Sequence, residues 1–424
     1  MEKKLVTLHN LGCKVNSYET QAVQQLLEKA GYEIVPFPGK AEIIIINTCT
    51  VTAIADKKSR QMLHRARTMN PDAVVAAMGC YVETGMEKLK ADGSVDLFIG
   101  NNRKKDIVAI LDEYFAGKKE KTYMGDISRH ASFEEFELSR TEGHTRAFIK
   151  VQDGCDQFCS YCIIPYARGR IRSRSSGEAL KETQRLARSG IKEIVLTGIH
   201  LSSYGRDDGA DTDLAGLIEK LASVDGIKRI RLGSLEAGII TEDFLNRTSA
   251  LPKLCPHFHL SLQSGCDATL KRMNRRYTSD EFYEKILMLR QYYDRPAVTT
   301  DIIAGFPGET DEEFEESYEF VKKVGFYETH IFPYSKREGT RAAGMPGQVS
   351  AEVKKERADR LIRLGNIQKE NYLEAGRGSE AEVLFEDREE HDGKLLWSGY
   401  TARYEKVLLD SDEDLANRIV RVRL

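Results

Sequence analysis

Four consecutive isoleucines, Ile43, Ile44, Ile45 and Ile46, constrain the fold of this chain more than any other feature. β-branched side chains favour a strand, and a run with no polar alternation is buried on both faces. Such a strand belongs in a parallel sheet with helices on either side. The flanking pattern agrees. Residues 5–8, 32–37, 73–78 and 96–99 read as further strands. Residues 17–30 and 55–69 read as helices, stopped by Gly31 and Pro71, and a third starts near Arg103. Residues 1–120 are therefore expected to form a doubly wound, parallel α/β domain.

Residues 121–142 are polar and mixed, and read as a linker. From 143 to 375 six apolar runs, at 147–151, 193–197, 229–232, 258–262, 298–303 and 329–332, alternate with helical stretches. Six such units suit a partial (β/α)6 barrel, since a full barrel needs eight. A connecting helix at 351–373 closes this part. Residues 376–424 carry four short strand-like runs separated by polar turns, the pattern of a small antiparallel β-barrel.

No stretch approaches the ~18 apolar residues of a membrane span. The charged opening lacks the apolar core of a signal peptide, so a cytoplasmic location is expected. With 63 basic and 66 acidic residues, bulk charge does not announce a nucleic-acid partner, which would need a local basic surface. In a reducing compartment, grouped cysteines point to metal or catalysis rather than disulfides. Cys13, Cys49 and Cys80 each follow a predicted strand within a few residues, at the edge where ligand crevices form in open parallel sheets. Three thiols distant in sequence would converge there.

The strongest local signal is Cys155, Cys159 and Cys162, in the loop after the first barrel strand. A Cx3Cx2C loop can aim three thiolates at one centre. Three ligands satisfy three irons of a cubane and leave the fourth open, as a substrate-binding centre needs. A structural zinc site is the alternative, but zinc asks for four ligands and no local fourth Cys or His follows.

Cx3Cx2C after the first strand of a partial barrel resembles the radical S-adenosylmethionine (SAM) enzymes. The resemblance to their methylthiotransferase branch spans the chain. It includes the opening from Thr7 through Gly12, Cys13, Lys14, Val15 and Asn16 to Glu19, the stretch Asn47, Thr48, Cys49, Thr50, Val51, Thr52, and the pair Gly79, Cys80. It also takes in the segment from Ile163 through Pro165 and Arg168 to Arg170, and that from Ile303 through Pro307 to Thr310. The terminal barrel resembles the family's TRAM module. The resemblance implies two [4Fe-4S] clusters, one on Cys155, Cys159 and Cys162 that binds SAM, and an auxiliary one on Cys13, Cys49 and Cys80. It implies two SAM molecules per turnover, one giving a methyl group and one a 5′-deoxyadenosyl radical. Sulfur insertion at an unactivated C–H carbon suits such a radical, because no acidic proton exists there for an acid–base group. No acid–base catalytic residue is assigned.

By the same resemblance Glu236, Ser261, Gln263 and Asp301 would contact SAM; the alternative is capping of barrel loops. His200, after the second barrel strand, reads as a structural histidine, with substrate contact the alternative. Arg168, Arg170, Arg172 and Arg174, if extended, would line one side and bind RNA phosphates, as would Lys271, Arg272, Arg275 and Arg276; the alternative is pairing with carboxylates. From Glu374 onward eight basic residues face thirteen acidic ones, so RNA contact there would rest on one face, around Trp397, Tyr400, Arg403, Tyr404 and Lys406. Lys14 and Val15, where the isopentenyladenosine branch usually reads Gln-Met, resemble the branch acting on threonylcarbamoyladenosine of tRNA. Gln263 and Ser264, where the ribosomal-protein branch usually has Gln-His, point the same way. The expected partners are the tRNA anticodon stem–loop and a reducing electron donor, with the protein monomeric. A cluster-bearing RNA binder without turnover is the reading from another class.

Overall fold

A computed structural model of the chain describes residues 4–127, 131–139 and 145–424. The first domain runs β1 (Leu5–Asn10), α1 (Lys14–Lys29), β2 (Glu33–Ile34), β3 (Ile43–Thr48), α2 (Ala53–Met69), β4 (Val74–Gly79), α3 (Cys80–Asp92), β5 (Leu97–Ile99), α4 (Ile107–Phe115) and β6 (Thr122–Tyr123). Its strands pair in the order β2-β1-β3-β4-β5-β6, all parallel. The isoleucine run divides between two cores. Ile43 and Ile45 pack with Val23, Leu27, Ile107 and Ile110 of α1 and α4. Ile44 and Ile46 pack with Leu63 and Ala66 of α2 and with Val82 and Leu89 of α3. Each is fully buried, and burying such a side chain contributes about 1.5–3 kcal/mol. The edge strand β6 lies in the segment whose sequence suggests only a linker; at two residues it is too short to leave a periodic signal.

The central part holds β7 (Arg146–Lys150), β8 (Gln152–Asp153), α5 (Ile164–Arg168), β9 (Arg172–Ser173), α6 (Ser176–Arg188), β10 (Glu193–Thr197), α7 (Leu214–Ala222), β11 (Arg229–Leu232) and α8 (Glu242–Thr248). It continues through β12 (His257–His259), α9 (Asp267–Arg272), α10 (Ser279–Tyr292), β13 (Ala297–Ala304), α11 (Asp311–Val324), β14 (Glu328–Pro333) and α12 (Ala351–Glu374). Strands β7, β10 and β11 form one parallel sheet and β12, β13 and β14 another. Parallel bridges Ile230–Leu254 and Leu235–Leu260 join them, giving the six-stranded arc the sequence predicts. Helix α1 of the first domain packs against β7. Tyr18 and Ala22 of that helix share an apolar cluster with Phe136, Leu138 and Phe148.

Strands β15 (Glu380–His391), β16 (Lys394–Thr401), β17 (Lys406–Leu409) and β18 (Ile419–Arg423) complete the chain. They form a curled antiparallel sheet in the order β17-β16-β15-β18, a half-barrel rather than the expected closed barrel. The connection between β17 and β18 is tied instead to the central domain: Asn417 Nδ2 donates to Gly190 O at 2.9 Å and Lys192 Nζ to Asn417 O. Arg229 donates to Tyr400 O (2.8 Å) and Glu382 O (2.6 Å), fixing the half-barrel against the foot of β11. No helix among the described residues is long and apolar enough to cross a membrane.

Candidate iron–sulfur and cofactor site

Because β1, β3 and β4 are neighbours, the residues following them stand side by side. Cys13 directly precedes α1, Cys49 follows β3 and Cys80 opens α3. Asn16 ties the first two together, donating through Nδ2 to Leu11 O (2.8 Å) and Thr48 O (3.0 Å). Gly12 has φ +113°, and a Cβ there would stand 3.0 Å from Cys49 Sγ, so the approach needs glycine. Thr48 Oγ1 bonds Met78 O at 2.7 Å and accepts from Tyr81 N at 3.2 Å, bringing Cys80 alongside. Burial pushes the Cys49 thiol up to about 11 and raises that of Cys13. Two N–H groups point at Cys80 Sγ: Arg168 Nε at 3.2 Å and Asn101 Nδ2 at 3.7 Å.

The second trio sits in a loop held at both ends by left-handed glycines, Gly154 (φ +72°) and Gly169 (φ +73°). Cys155 N donates to Gly169 O at 3.0 Å, and a Cβ on Gly154 would come within 1.8 Å of Arg170 O. Ser160 N donates to Met273 O (2.9 Å) and Asn274 Nδ2 to Phe158 O (3.0 Å), so the turn after α9 braces the loop. Cys162 N closes a turn on Cys159 O at 3.0 Å. Burial pushes Cys155 and Cys162 up to about 12. Arg275 Nη1 reaches Cys159 Sγ at 3.4 Å.

Guanidinium and amide donors aimed at sulfur suit thiolates, which are the form that ligates metal. Each trio supplies three free thiols, the donor set of an iron–sulfur cubane with one open iron.

Between the trios lies a buried ion network. Glu19 of α1 contacts Lys104, Lys150 (2.7 Å) and Arg168 (2.6 Å), all fully buried. Asp153 faces Lys150 (2.6 Å), Arg168 (3.3 Å) and Arg172 (3.5 Å). Arg168 Nη2 also donates to Asn16 Oδ1 at 2.6 Å. Against burial that would raise them, Arg168, Lys104 and Lys150 hold Glu19 well below the usual carboxylate range, and Lys150 with the two arginines does the same for Asp153. Two carboxylates thus meet four cations, and the positive surplus favours anionic sulfur nearby. Arg168 ends the five-residue α5, which begins two residues after Cys162 and spans about 7.5 Å. One short helix therefore separates the loop trio from the side chain touching Cys80.

This network overturns the proposed RNA-binding arginine row. The stretch is not one extended segment: Arg168 ends α5, only Arg172–Ser173 is strand, and Arg168, Arg172 and Arg174 are buried. Arg174 pairs with Glu182 (2.8 Å) and Glu135 (2.8 Å), while Arg170 lies over the Phe158 ring. The second basic stretch divides. Arg275 is spent on the cluster loop and Arg272 on Glu313, leaving Lys271 and Arg276 exposed. The side chains of the terminal aromatic face are largely taken up by contacts within the chain. Trp397 is buried with Nε1 on Glu413 O (2.8 Å), Tyr400 stacks on Tyr404 at 4.7 Å under Arg146, and Arg403 donates to Arg295 O (3.0 Å). Lys406 pairs with Glu389 at 2.6 Å.

Glu236 stands beside the loop trio. It accepts from Gln157 Nε2 (2.9 Å), meets His200 Nε2 (3.2 Å) and lies 3.4 Å from Arg275. Against its burial, the His200 contact and Arg275 hold its pKa below the ordinary value. Ser261 reaches the same place through its carbonyl, which accepts from Arg275 (3.0 Å) and Tyr277 (2.8 Å). Gln263, buried with φ +72°, bends the chain between β12 and α9. Asp301 is elsewhere, 3.2 Å from His259 Nε2, and the two join His330 in a His-Asp-His group inside the arc. Sequence reasoning gave no role to Glu19, Lys104, Lys150 or Asp153. Their one signal was placement: Lys150 and Asp153 precede the cysteine loop, and Glu19 lies six residues after Cys13.

A parallel six-stranded arc with a three-cysteine loop after its first strand is the architecture of the radical SAM enzymes. Residues 149–321 match the model of the radical SAM superfamily, and residues 5–100 match that of uncharacterized protein family UPF0004. Among solved structures, the radical S-adenosylmethionine methyltransferase TsrM from Kitasatospora setae shares the fold, with a TM-score of 0.60 at 13% identity over 78% of this chain and 75% of that one. The threonylcarbamoyladenosine tRNA methylthiotransferase MtaB of Bacillus subtilis is 42% identical over 99% of this chain and 93% of its own. That of Aquifex aeolicus is 38% identical over 93% and 95%. The tRNA-2-methylthio-N(6)-dimethylallyladenosine synthase of Moorella thermoacetica is 36% identical over 100% and 96%. The chain belongs to the radical SAM tRNA methylthiotransferases. Its cofactors are SAM and two [4Fe-4S] clusters.

Proposed function

We propose that this enzyme adds a methylthio group to C2 of threonylcarbamoyladenosine beside the anticodon of tRNA, giving 2-methylthio-threonylcarbamoyladenosine. The observation that carries this reading is 42% identity over nearly the whole chain to a relative named for that substrate. Cys155, Cys159 and Cys162 would hold the SAM-binding cluster, and Cys13, Cys49 and Cys80 the auxiliary one. When bound, these groups supply the radical, sulfur and methyl chemistry. The chain's part is to position and shield. Arg275 and Arg168 place N–H groups on one sulfur of each trio. The Glu19–Asp153 network locks α1 to the cluster loop and keeps water from between them. Glu236, with Ser261 and Gln263, would receive the polar groups of SAM. Glu236 has the strongest support, because its carboxylate stands beside the loop trio. Asp301, paired with His259, would act deeper in the arc.

The test is mass analysis of tRNA nucleosides from a strain lacking the gene. The methylthio form of threonylcarbamoyladenosine should vanish and return with the gene. Its persistence, with loss of the methylthio-dimethylallyl nucleoside or of a modified ribosomal protein aspartate, would overturn the assignment.

A further inference from the structure

We infer that Lys14 binds the carboxylate of the target nucleoside's N6 substituent, in a cavity at the foot of the barrel. The inference rests on the substrate reading above. The cavity holds about 210 Å3 and is lined by Lys14, Arg146, Phe148, Val195, Arg231 and Tyr404, with Glu386 and the exposed Asp387 on its half-barrel side. That is smaller than the several hundred Å3 of a pocket for a whole small-molecule ligand, and suits a substituent.

Two of the three lining cations are already neutralised. Arg231 holds Glu193 at 2.7 Å, and Arg146 holds Glu386 at 2.6 Å. Lys14 has no ion pair or hydrogen bond among the described residues. Asp301, a nearby carboxylate, is turned to His259. Lys14 is exposed to solvent within the cavity, so its ammonium can meet an incoming anion without first breaking a protein ion pair. The same charge balance argues against a divalent cation on His259, Asp301 and His330, because Lys14 and Arg231 crowd that group.

The threonylcarbamoyl group carries a carboxylate and a methyl, which Lys14 and the Phe148–Val195 wall complement. A dimethylallyl group offers Lys14 no acceptor, so the pocket favours the acid by the charge-assisted bond that only the carboxylate can make. Lys14 directly follows Cys13, so a substituent held here keeps its adenine beside the amino-terminal trio.

The holoenzyme, without reductant, would be titrated with anticodon stem–loops bearing threonylcarbamoyladenosine or its primary amide, and kcat/KM for each measured under reduction. The wild type should favour the carboxylate by about 10- to 100-fold in Kd, the reach of a charge-assisted hydrogen bond, and Lys14→Met should cut that to about threefold or less. Lys14→Arg should restore the preference. Iron content and RNA-free SAM cleavage report whether each variant is intact. Equal wild-type affinity for acid and amide, or a preference that survives in Lys14→Met, overturns the role of Lys14 and leaves the substrate reading standing. A wild type that rejects both loops and modifies a dimethylallyladenosine loop overturns the substrate reading and this inference together.

Discussion

At Arg168 three parts of the molecule meet: Cys80 of the first trio, Glu19 of α1 and Asp153 before the cluster loop. Removing one member of a buried ion network strands the others, so Arg168→Met should lower stability by about 3–5 kcal/mol, read from denaturant unfolding. An unchanged midpoint would show that the network is not buried as described. A second residue gives a pH signature. Glu134 accepts from Lys105 N at 2.9 Å, and burial pushes its carboxyl from an ordinary 4.5 up to about 7. The unfolded group releases its proton first as pH rises. Stability from Glu134 is thus full below about 4.5 and is lost up to about 7, by an amount on the order of 3 kcal/mol. Glu134→Gln stays neutral and should remove this slope, making the variant more stable than wild type at pH 8 and equal to it near pH 4.5. A slope that persists would place the titration elsewhere. None of this was legible beforehand. Sequence marks a charged residue, but its partners lie far along the chain, as Glu19 lies from Lys150 and Arg168.

At the scale of elements the sequence was far more readable. The isoleucine run and the alternation after it announced the parallel sheet, and five of the six barrel strands lie within two residues of their predicted limits; β12 stops three residues short of its own. Those signals come from local periodicity, which burial on both faces imposes directly. The arginine row failed for the complementary reason. Alternation along an extended segment places side chains on one side, but α5, with Pro165 in its first turn and Gly169 ending it, turns Arg168 inward. The cluster loop, between Gly154 and Gly169, depends on backbone that only glycine adopts easily. Gly154→Ala should block the cluster loop, cutting iron after anaerobic reconstitution from about eight to about four per chain, with the first domain's trio still loaded. Full iron content would refute the claim that this close approach shapes the site.

Across the whole molecule, the first domain caps the arc through α1, and the half-barrel closes its foot through Arg229 and Arg231. The sequence indicated three folding units but not how they dock, because docking rests on buried ion pairs and carbonyl contacts that leave no pattern. The proposed function gives the two trios separate tasks. Replacing Cys13, Cys49 and Cys80 together by alanine tests this most directly, with 5′-deoxyadenosine and methylthiolated nucleoside measured in the same anaerobic reaction. The account predicts that the variant still cleaves SAM through the remaining trio and makes no methylthio product. Methylthio product from that variant would contradict it.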